Sequence, residues 1–232
     1  MHKSGKQWGT LAAVGVVSFA LANAQSAPAA RHDSSRVKRI LVLGDSLSAG
    51  FLLKPSEAWP MLVVDKLRDA DLDFEVTNAS RSGDTTAGGL ARLPAQLKHP
   101  IDIFIVELGI NDAWRGIPVD QIERNLQTII DRMRARNPGV HIIIAGMQLP
   151  METADGYIRD FGLMFSDLAA KNQAALVPYL LQGVSGNPTL NLYDRIHPNA
   201  AGHKILAQNV WAVLEPIARE VSGQRTARAK AN

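Results

Sequence analysis

The strongest constraint on the fold is a repeated order of short strand-like runs, each followed by a segment with helical spacing. The first run, residues 40–43, is continuously apolar and is ended by Gly44, which is typical of a strand buried on both faces. Four further runs predict strands, and they cover residues 74–76, 101–108, 140–145 and 175–181.

Helical segments separate these strands. The clearest covers residues 119–136, where apolar side chains recur on one face and Pro118 stands at the start. Helices are also predicted over residues 57–70, 85–97, 156–172 and 200–220, with Ser56 as the N-cap of the first of these. Strands that alternate with helices indicate an α/β fold with three α/β/α layers and a mostly parallel five-stranded sheet.

The positive charge of the chain is concentrated at its ends. The 232 residues include 25 Lys and Arg against 22 Asp and Glu, a formal net charge of +3. Residues 1–24 carry +2, and residues 25–39 and 221–232 carry +3 each, which leaves −5 for residues 40–220. Since an acidic body does not offer the basic groove that a nucleic-acid backbone needs, we expect no nucleic-acid partner. The basic ends would suit a weak contact with anionic lipid.

The first residues have the layout of a secretory signal peptide. Lys3 and Lys6 precede an apolar stretch over residues 11–22, and small residues follow in an A-x-A pattern at 22–24. The stretch is shorter than the ~20 residues that a stable membrane span needs. We predict a cleaved signal peptide at residues 1–24, and hence a periplasmic or secreted protein. An uncleaved anchor and a disordered leader are the alternatives.

The rest of the chain divides into three predicted segments. They are a disordered linker at residues 25–36, one globular domain at 37–220 and a basic flexible tail at 221–232. The chain has no cysteine, which excludes disulfides, thiolate metal sites and a cysteine nucleophile.

Small polar segments lie next to the predicted strands, at the edge where a parallel sheet binds ligands. Gly-Asp-Ser-Leu-Ser-Ala-Gly at residues 44–50 follows the first strand, and Asn-Ala-Ser-Arg-Ser-Gly-Asp at 78–84 follows the second. Gly-Ile-Asn-Asp at 109–112 follows the third, and Asp-Arg-Ile-His-Pro-Asn at 194–199 precedes the last helix.

These segments contain the groups that acyl transfer requires. A serine hydroxyl such as that of Ser46 is a poor nucleophile unless a base lies within hydrogen-bond reach. His197 can be that base, and Asp194 can orient the imidazole and stabilise its charged form. The anionic tetrahedral intermediate needs preplaced donors, for which the candidates are the backbone N–H groups of Ser46 and Gly83 and the amide of Asn111.

Each of these residues also has a purely structural interpretation. Ser46 and Asn111 are of the types that cap helices, Gly83 suits a left-handed turn, and His197 taken alone would be an ordinary surface histidine. Asp45 is of the type that braces a turn. The complete set, in order at the expected strand ends, favours catalysis over these separate roles.

Together the segments resemble those of the SGNH (GDSL-type) hydrolases, and most closely the periplasmic thioesterase I, arylesterase and lysophospholipase group. Two further runs match that family, Gly-Leu-Ala-Arg-Leu-Pro-Ala at 89–95 and Val-Glu-Leu-Gly-Ile-Asn-Asp at 106–112, and the resemblance spans residues 38–218. It implies a flavodoxin-like sheet and no cofactor. It also implies roles for individual residues: a catalytic triad of Ser46, Asp194 and His197, and an oxyanion hole of Ser46, Gly83 and Asn111.

The resemblance also implies a small-molecule ester or lipid as substrate, and we expect a monomer. Residues 112–118 occupy the position of the family's substrate-responsive loop, although Ile110 stands where close relatives often carry a second glycine. The candidate substrate-binding residues are Asp45, Trp114, Met147 and Leu149.

The predicted function is therefore that of a serine esterase acting on carboxylic esters, thioesters or lysophospholipids. The alternatives are a carbohydrate O-acetylesterase or acyltransferase on the same scaffold, and a non-catalytic envelope protein that binds a ligand in the cleft. The sequence lacks the G-x-S-x-G elbow and the H-E-x-x-H motif. His203 follows His197 by six residues, but no third ligand accompanies the two histidines, so no metal is expected.

Overall fold

Five parallel strands form one sheet in the part of the chain that the computed structural model describes, residues 1–2, 36–149 and 156–223. The strands are β1 (Lys38–Gly44), β2 (Phe74–Asn78), β3 (Ile103–Glu107), β4 (His141–Ala145) and β5 (Ala175–Val177). Their order in the sheet is β2-β1-β3-β4-β5. This is the flavodoxin-like order, as the resemblance implied.

The central strands are buried on both faces because helices cover both sides of the sheet. Every residue of β3 is buried, and so are the last five residues of β1. By contrast, β2 pairs with β1 alone and alternates between buried and more exposed positions. The continuous apolar runs of the sequence are thus explained by a parallel sheet whose interior strands have no solvent face.

Seven α-helices surround the sheet in the described residues. They are α1 (Ser46–Ala49), α2 (Trp59–Asp69), α3 (Thr86–Gln96), α4 (Ile110–Trp114), α5 (Val119–Arg136), α6 (Gly156–Lys171) and α7 (Ala200–Ser222). Helix α2 packs against α7, whereas α5 packs against both α3 and α6. The three α/β/α layers predicted from the alternation of strands and helices are confirmed. No helix of the described segments is long and apolar enough to cross a membrane.

Several element boundaries differ from the prediction. Ser56 is not the N-cap of α2: it lies in the short 3-10 turn Pro55–Glu57, and Ala58 occupies the cap position. The fifth strand is only three residues long, against the predicted 175–181. Helix α7 continues to Ser222, past the predicted end of the domain at residue 220.

The predicted segments at the two ends of the chain fall largely outside the described residues. Of the predicted signal peptide at residues 1–24, residues 1–2 are described. Of the predicted linker at 25–36, residue 36 is described, and of the predicted tail at 221–232, residues 221–223 are described. From Val37 onward the described residues belong to one compact unit.

The chain direction across the sheet reverses between β1 and β3, since β2 lies on one side of β1 and the later strands lie on the other. At such a switch point the loops beyond the carboxyl ends of the strands separate and leave a crevice for a ligand. The segments that follow β1, β2 and β3 are the three polar segments found in the sequence.

Candidate active site

Ser46 is placed by the turn that joins β1 to α1. Strand β1 ends at Gly44, Asp45 caps the short helix, and Ser46 is its first residue. The cap is formed by Asp45 Oδ1, which accepts a hydrogen bond from the backbone N–H of Leu47 at 3.0 Å. The serine is 7% exposed, so it lies largely below the surface at the end of β1.

His197 and Asp194 reach Ser46 from the loop before α7. His197 Nε2 lies 3.0 Å from Ser46 Oγ, and His197 Nδ1 lies 2.7 Å from Asp194 Oδ2. Because a carboxylate only accepts hydrogen bonds, the imidazole proton sits on Nδ1 and Nε2 is free to accept from the serine hydroxyl. The three side chains therefore have the geometry of a nucleophile, a base and a group that orients the base.

The second oxygen of Asp194 ties the carboxylate to its own loop. Asp194 Oδ1 accepts hydrogen bonds from the backbone N–H groups of Ile196 at 2.9 Å and His197 at 3.0 Å. Partial burial raises the pKa of Asp194, but these bonds and the imidazole lower it more, so the net shift is below its ordinary value. The carboxylate is consequently kept in the charged form that supports the imidazole.

Contacts on both sides of His197 fix its loop and its ring. The Leu192 N–H donates to the His197 carbonyl at 2.7 Å, and the next residue, Pro198, forms an antiparallel bridge with Asn191. The ring of Phe51 lies against the imidazole, with the two centroids 4.5 Å apart. The base is thus held by its loop and by an aromatic side chain from the segment that follows α1.

Three hydrogen-bond donors in the segments that follow β1, β2 and β3 are unused among the described residues. The backbone N–H groups of Ser46 and Gly83 have no acceptor among the described residues. Asn111 lies in α4 and spends one amide hydrogen on Asp45 Oδ2 at 2.9 Å, which leaves the other free. Gly83 has a φ of 79° and open space where a Cβ would stand, so it adopts the left-handed turn and leaves its N–H accessible.

Arg92 joins the loops that carry these donors. Its guanidinium donates to the Asp84 carboxylate and to the carbonyls of Ala79 and Gly44. Arg92 is part of the matching run at residues 89–95, and no role was predicted for it. The sequence does indicate that Arg92 is unusual, because it is a charged residue between Leu90 and Leu93 in a mainly apolar helix. The groups to which it donates, however, are not its neighbours in sequence.

Two buried acids lie next to the nucleophile. Asp45 and Glu107 are both fully buried, and burial raises the pKa of Asp45 to about 7. Burial, with the charge of Asp45, raises the pKa of Glu107 well above its ordinary value. Glu107 was missed as a site residue, although an acid that ends an otherwise apolar strand is a recognisable signal.

The four candidate substrate-binding residues do not share one environment. Trp114 is exposed and Leu149 is half-buried, so both can face a ligand. Asp45 is fully buried and Met147 belongs to the hydrophobic core, so in this structure neither side chain is exposed to a ligand. Exposed apolar side chains that were not predicted are Leu52, which follows Phe51, and Tyr193 and Ile196, which flank Asp194 and His197 in sequence.

His203 is part of the core and does not join His197. Its Nδ1 accepts a hydrogen bond from the backbone N–H of Trp59 at 3.1 Å. Burial is the main reason that the pKa of His203 falls to about 4. Within the described segments, no group of three or more His, Asp or Glu side chains is placed to hold a metal ion.

The family model of the GDSL-like lipase/acylhydrolases matches residues 42–205, a range that includes Ser46, Gly83, Asn111, Asp194 and His197. The chain belongs to the GDSL-like lipase/acylhydrolase family. It is therefore a GDSL-type hydrolase, and the resemblance seen in the sequence is confirmed.

Relatives of known name support this placement. The chain is 41% identical over 179 residues to Esterase TesA of Pseudomonas aeruginosa, covering 77% of this chain and 88% of the relative. It is 37% identical over 179 residues to thioesterase 1/protease 1/lysophospholipase L1 of Escherichia coli strain K12, covering 77% and 84% of the two chains. The crystal structure of TesA aligns with a TM-score of 0.74 at 40% identity, covering 78% of this GDSL hydrolase and 99% of that chain.

Proposed function

We propose that this GDSL hydrolase cleaves carboxylic esters through an acyl-enzyme formed on Ser46. The observation that carries the proposal is the continuous chain of hydrogen bonds from Ser46 Oγ through the His197 ring to Asp194. In the first step Ser46 Oγ bonds to the ester carbonyl carbon while His197 Nε2 takes the hydroxyl proton. The protonated imidazole is stabilised by the charged Asp194 carboxylate.

The leaving group departs when the tetrahedral intermediate collapses. The bond from carbon to the alkoxy oxygen breaks, and His197 returns the proton to that oxygen, so an alcohol leaves. A water molecule then gives a proton to His197 Nε2 and its oxygen bonds to the acyl carbon. Collapse of this second intermediate releases the acid and restores the Ser46 hydroxyl.

The oxyanion of each intermediate is stabilised by the free donors of Ser46, Gly83 and Asn111. These groups are fixed before the reaction, two by backbone conformation and one by its hydrogen bond to Asp45. Preorganised donors of this kind stabilise the transition state more than the neutral ester, which is what raises kcat.

The substrate class we propose is an acyl ester or thioester with an apolar group next to the carbonyl. Support comes from exposed apolar residues in the segments that follow β1 and β3 and precede α7, namely Leu52, Trp114, Tyr193 and Ile196. The names esterase, thioesterase and lysophospholipase among the relatives point the same way. We also propose a monomer that works in the periplasm or outside the cell after loss of residues 1–24, with weak contact between its basic ends and anionic lipid.

Hydrolysis of a matched panel tests the proposed substrate class. The purified protein would be assayed on p-nitrophenyl esters of increasing acyl length, an acyl thioester, a lysophospholipid and an acetylated xylan, each with and without an acceptor alcohol. The proposal predicts hydrolysis that rises with acyl length beyond acetate. Activity confined to acetylated xylan, or transfer to the alcohol in place of hydrolysis, would contradict it.

A further inference from the structure

Two carboxyl groups that the proposed mechanism does not use lie side by side under the nucleophile turn. Asp45 directly precedes Ser46, and Glu107 ends β3 in register with Gly44 of β1. Both side chains are fully buried. Among the described residues neither forms an ion pair with Lys, Arg or His, so no cation offsets the cost of burying two negative charges.

The hydrogen bonds of Glu107 are incomplete if its carboxyl group is ionised. Oε2 accepts from Ser48 Oγ at 2.7 Å and from the backbone N–H of Asp45 at 3.2 Å. Oε1 is buried and has no partner among the described residues. A buried carboxylate oxygen without a donor is costly, whereas a protonated carboxyl supplies a donor of its own.

The carboxyl group next to Glu107, that of Asp45, acts as a hydrogen-bond acceptor. Its two oxygens accept from the Leu47 N–H and from Asn111 Nδ2, and both retain acceptor capacity. An ionised carboxylate can only accept hydrogen bonds, so the Asp45 carboxylate determines which end of the Asn111 side-chain amide faces it. The amide nitrogen must point towards Asp45, and its second hydrogen is then directed away from Asp45 and remains available.

We propose that Glu107 carries a proton which it donates to the Asp45 carboxylate, and that Asp45 thereby holds the Asn111 amide in the orientation that the oxyanion hole requires. Glu107 and Asp45 are positioning residues, because neither touches the reacting atoms. The inference rests on the proposed function in one respect, the use of Asn111 as an oxyanion donor.

The electrostatic surroundings favour one shared proton. Asp84 and Asp112 also raise the pKa of Asp45, and a hydrogen bond to Asp45 raises the pKa of Glu107. Arg92, which reaches the Gly44 carbonyl next to Asp45, donates to Asp84 and to two backbone carbonyls and to neither of the two buried acids. Two neighbouring buried acids resist ionising together, so the pair favours holding one proton, and the unpartnered Oε1 places that proton on Glu107.

Two substitutions at Glu107 test whether its carboxyl group acts as a neutral hydrogen-bond donor or as an anion. Glu107→Gln keeps a neutral donor towards Asp45 and a carbonyl that accepts from Ser48, so kcat should stay within about threefold of wild type. Glu107→Met fills similar space without hydrogen bonds, so the Asn111 amide loses its orientation and kcat should fall by about 10–100-fold with little change in KM. Equal loss in Glu107→Gln and Glu107→Met would overturn the proposal.

A double-variant cycle distinguishes positioning from a general structural role. In the Asn111→Ala background, Glu107→Met should change kcat by less than about threefold, because the group it positions is already gone. An undiminished effect in that background would contradict the proposal. If Asn111→Ala itself left kcat unchanged, the oxyanion assignment would fail, and the placement of the proton would still be tested separately.

The proton itself can be observed in the wild-type protein. At about pH 8 ordinary carboxyl groups are ionised, so an infrared difference spectrum between wild type and Glu107→Gln should show the carbonyl stretch of one protonated carboxylic acid. Its absence would contradict the proposal whatever the activities show.

Discussion

The Asp194 carboxylate and the His197 imidazole are joined by a 2.7 Å hydrogen bond although the two residues are only three positions apart. The same carboxylate accepts the backbone N–H groups of Ile196 and His197. One short loop therefore orients the imidazole through its own hydrogen bonds, and the distant contact on the ring is that of Phe51. Ser46 comes from a distant part of the sequence. It lies beside this loop because β1 ends at Gly44, two residues before Ser46.

Asp194→Asn should preserve the loop and destroy the base. The asparagine oxygen can still accept the two backbone N–H groups, but its NH₂ would face His197 Nδ1 and force the proton onto Nε2. The imidazole would then be unable to accept the Ser46 proton, and kcat should fall by about 10⁴. Steady-state ester hydrolysis measures this, with the melting temperature as a check that the loop is intact. A loss of less than about tenfold would contradict the role of Asp194.

Asn111→Ala should remove one oxyanion donor and leave the nucleophile and base in place. The expected cost is about 10²–10³ in kcat, with a small change in KM, because the bond strengthens in the transition state. Asn209→Ala is the matched control, since among the described residues the Asn209 amide donates to the carbonyls of Leu180 and Gln182 and to no group near Ser46. Equal rates for the two variants would show that Asn111 does not stabilise the oxyanion.

Helices and strands could be predicted from the sequence wherever they are long enough to show a repeating pattern of apolar residues. Helix α5 has the predicted bounds because five apolar side chains recur on one face over 18 residues. Helices α1 and α4 span four and five residues and are too short for any periodicity. The cap of α2 was misplaced because Ser56 has the right side chain, yet the chain first makes a 3-10 turn there.

The placement of Ser46, Gly83 and Asn111 in the segments after β1, β2 and β3 could be predicted, because the loops beyond the carboxyl ends of parallel strands lie at one edge of the sheet. What lies beneath them could not. Glu107 and Arg92 act through partners far away in sequence, such as Ser48 and Gly44, and no local pattern encodes those contacts. The burial of Asp45 and Met147 likewise depends on how the segments pack over the strand ends.

The buried His203 should make the protein less stable in mild acid. The pKa of His203 is about 4 in the folded state and about 6.5 in an unfolded chain, so the unfolded state binds the extra proton between these values. The resulting stability is complete above about pH 6.5 and is lost as the pH falls towards 4, a change on the order of 3 kcal/mol.

His203→Asn isolates this contribution, because its oxygen can accept the Trp59 N–H without titrating. The buried acids Asp45 and Glu107 act in the opposite direction, since their raised pKa values favour the folded state at lower pH. The difference in unfolding free energy between wild type and variant should therefore be constant above about pH 6.5 and change below it. A difference that is independent of pH from about 4 to 8 would contradict the assignment.

Gly202→Ala should disturb the loop that carries the base. A Cβ at this position would lie 2.3 Å from the Leu190 carbonyl oxygen and 2.9 Å from Pro198 Cβ, so the segment next to His197 would have to shift. We expect a loss of about 1–3 kcal/mol in stability together with a lower kcat. Gly139→Ala is the control, because open space surrounds that position. Equal behaviour of the two variants, by thermal unfolding and ester hydrolysis, would contradict this packing.

Covalent labelling tests the central claim most directly. An alkyl fluorophosphonate reacts with a serine only where a base and an oxyanion hole activate it. Digestion of the labelled wild-type protein and mass spectrometry of its peptides should show a single adduct on Ser46, in step with loss of ester hydrolysis. Ser46→Ala should take no label and hydrolyse ester at the background rate. An adduct on another residue, or hydrolysis by Ser46→Ala at the wild-type rate, would contradict the account.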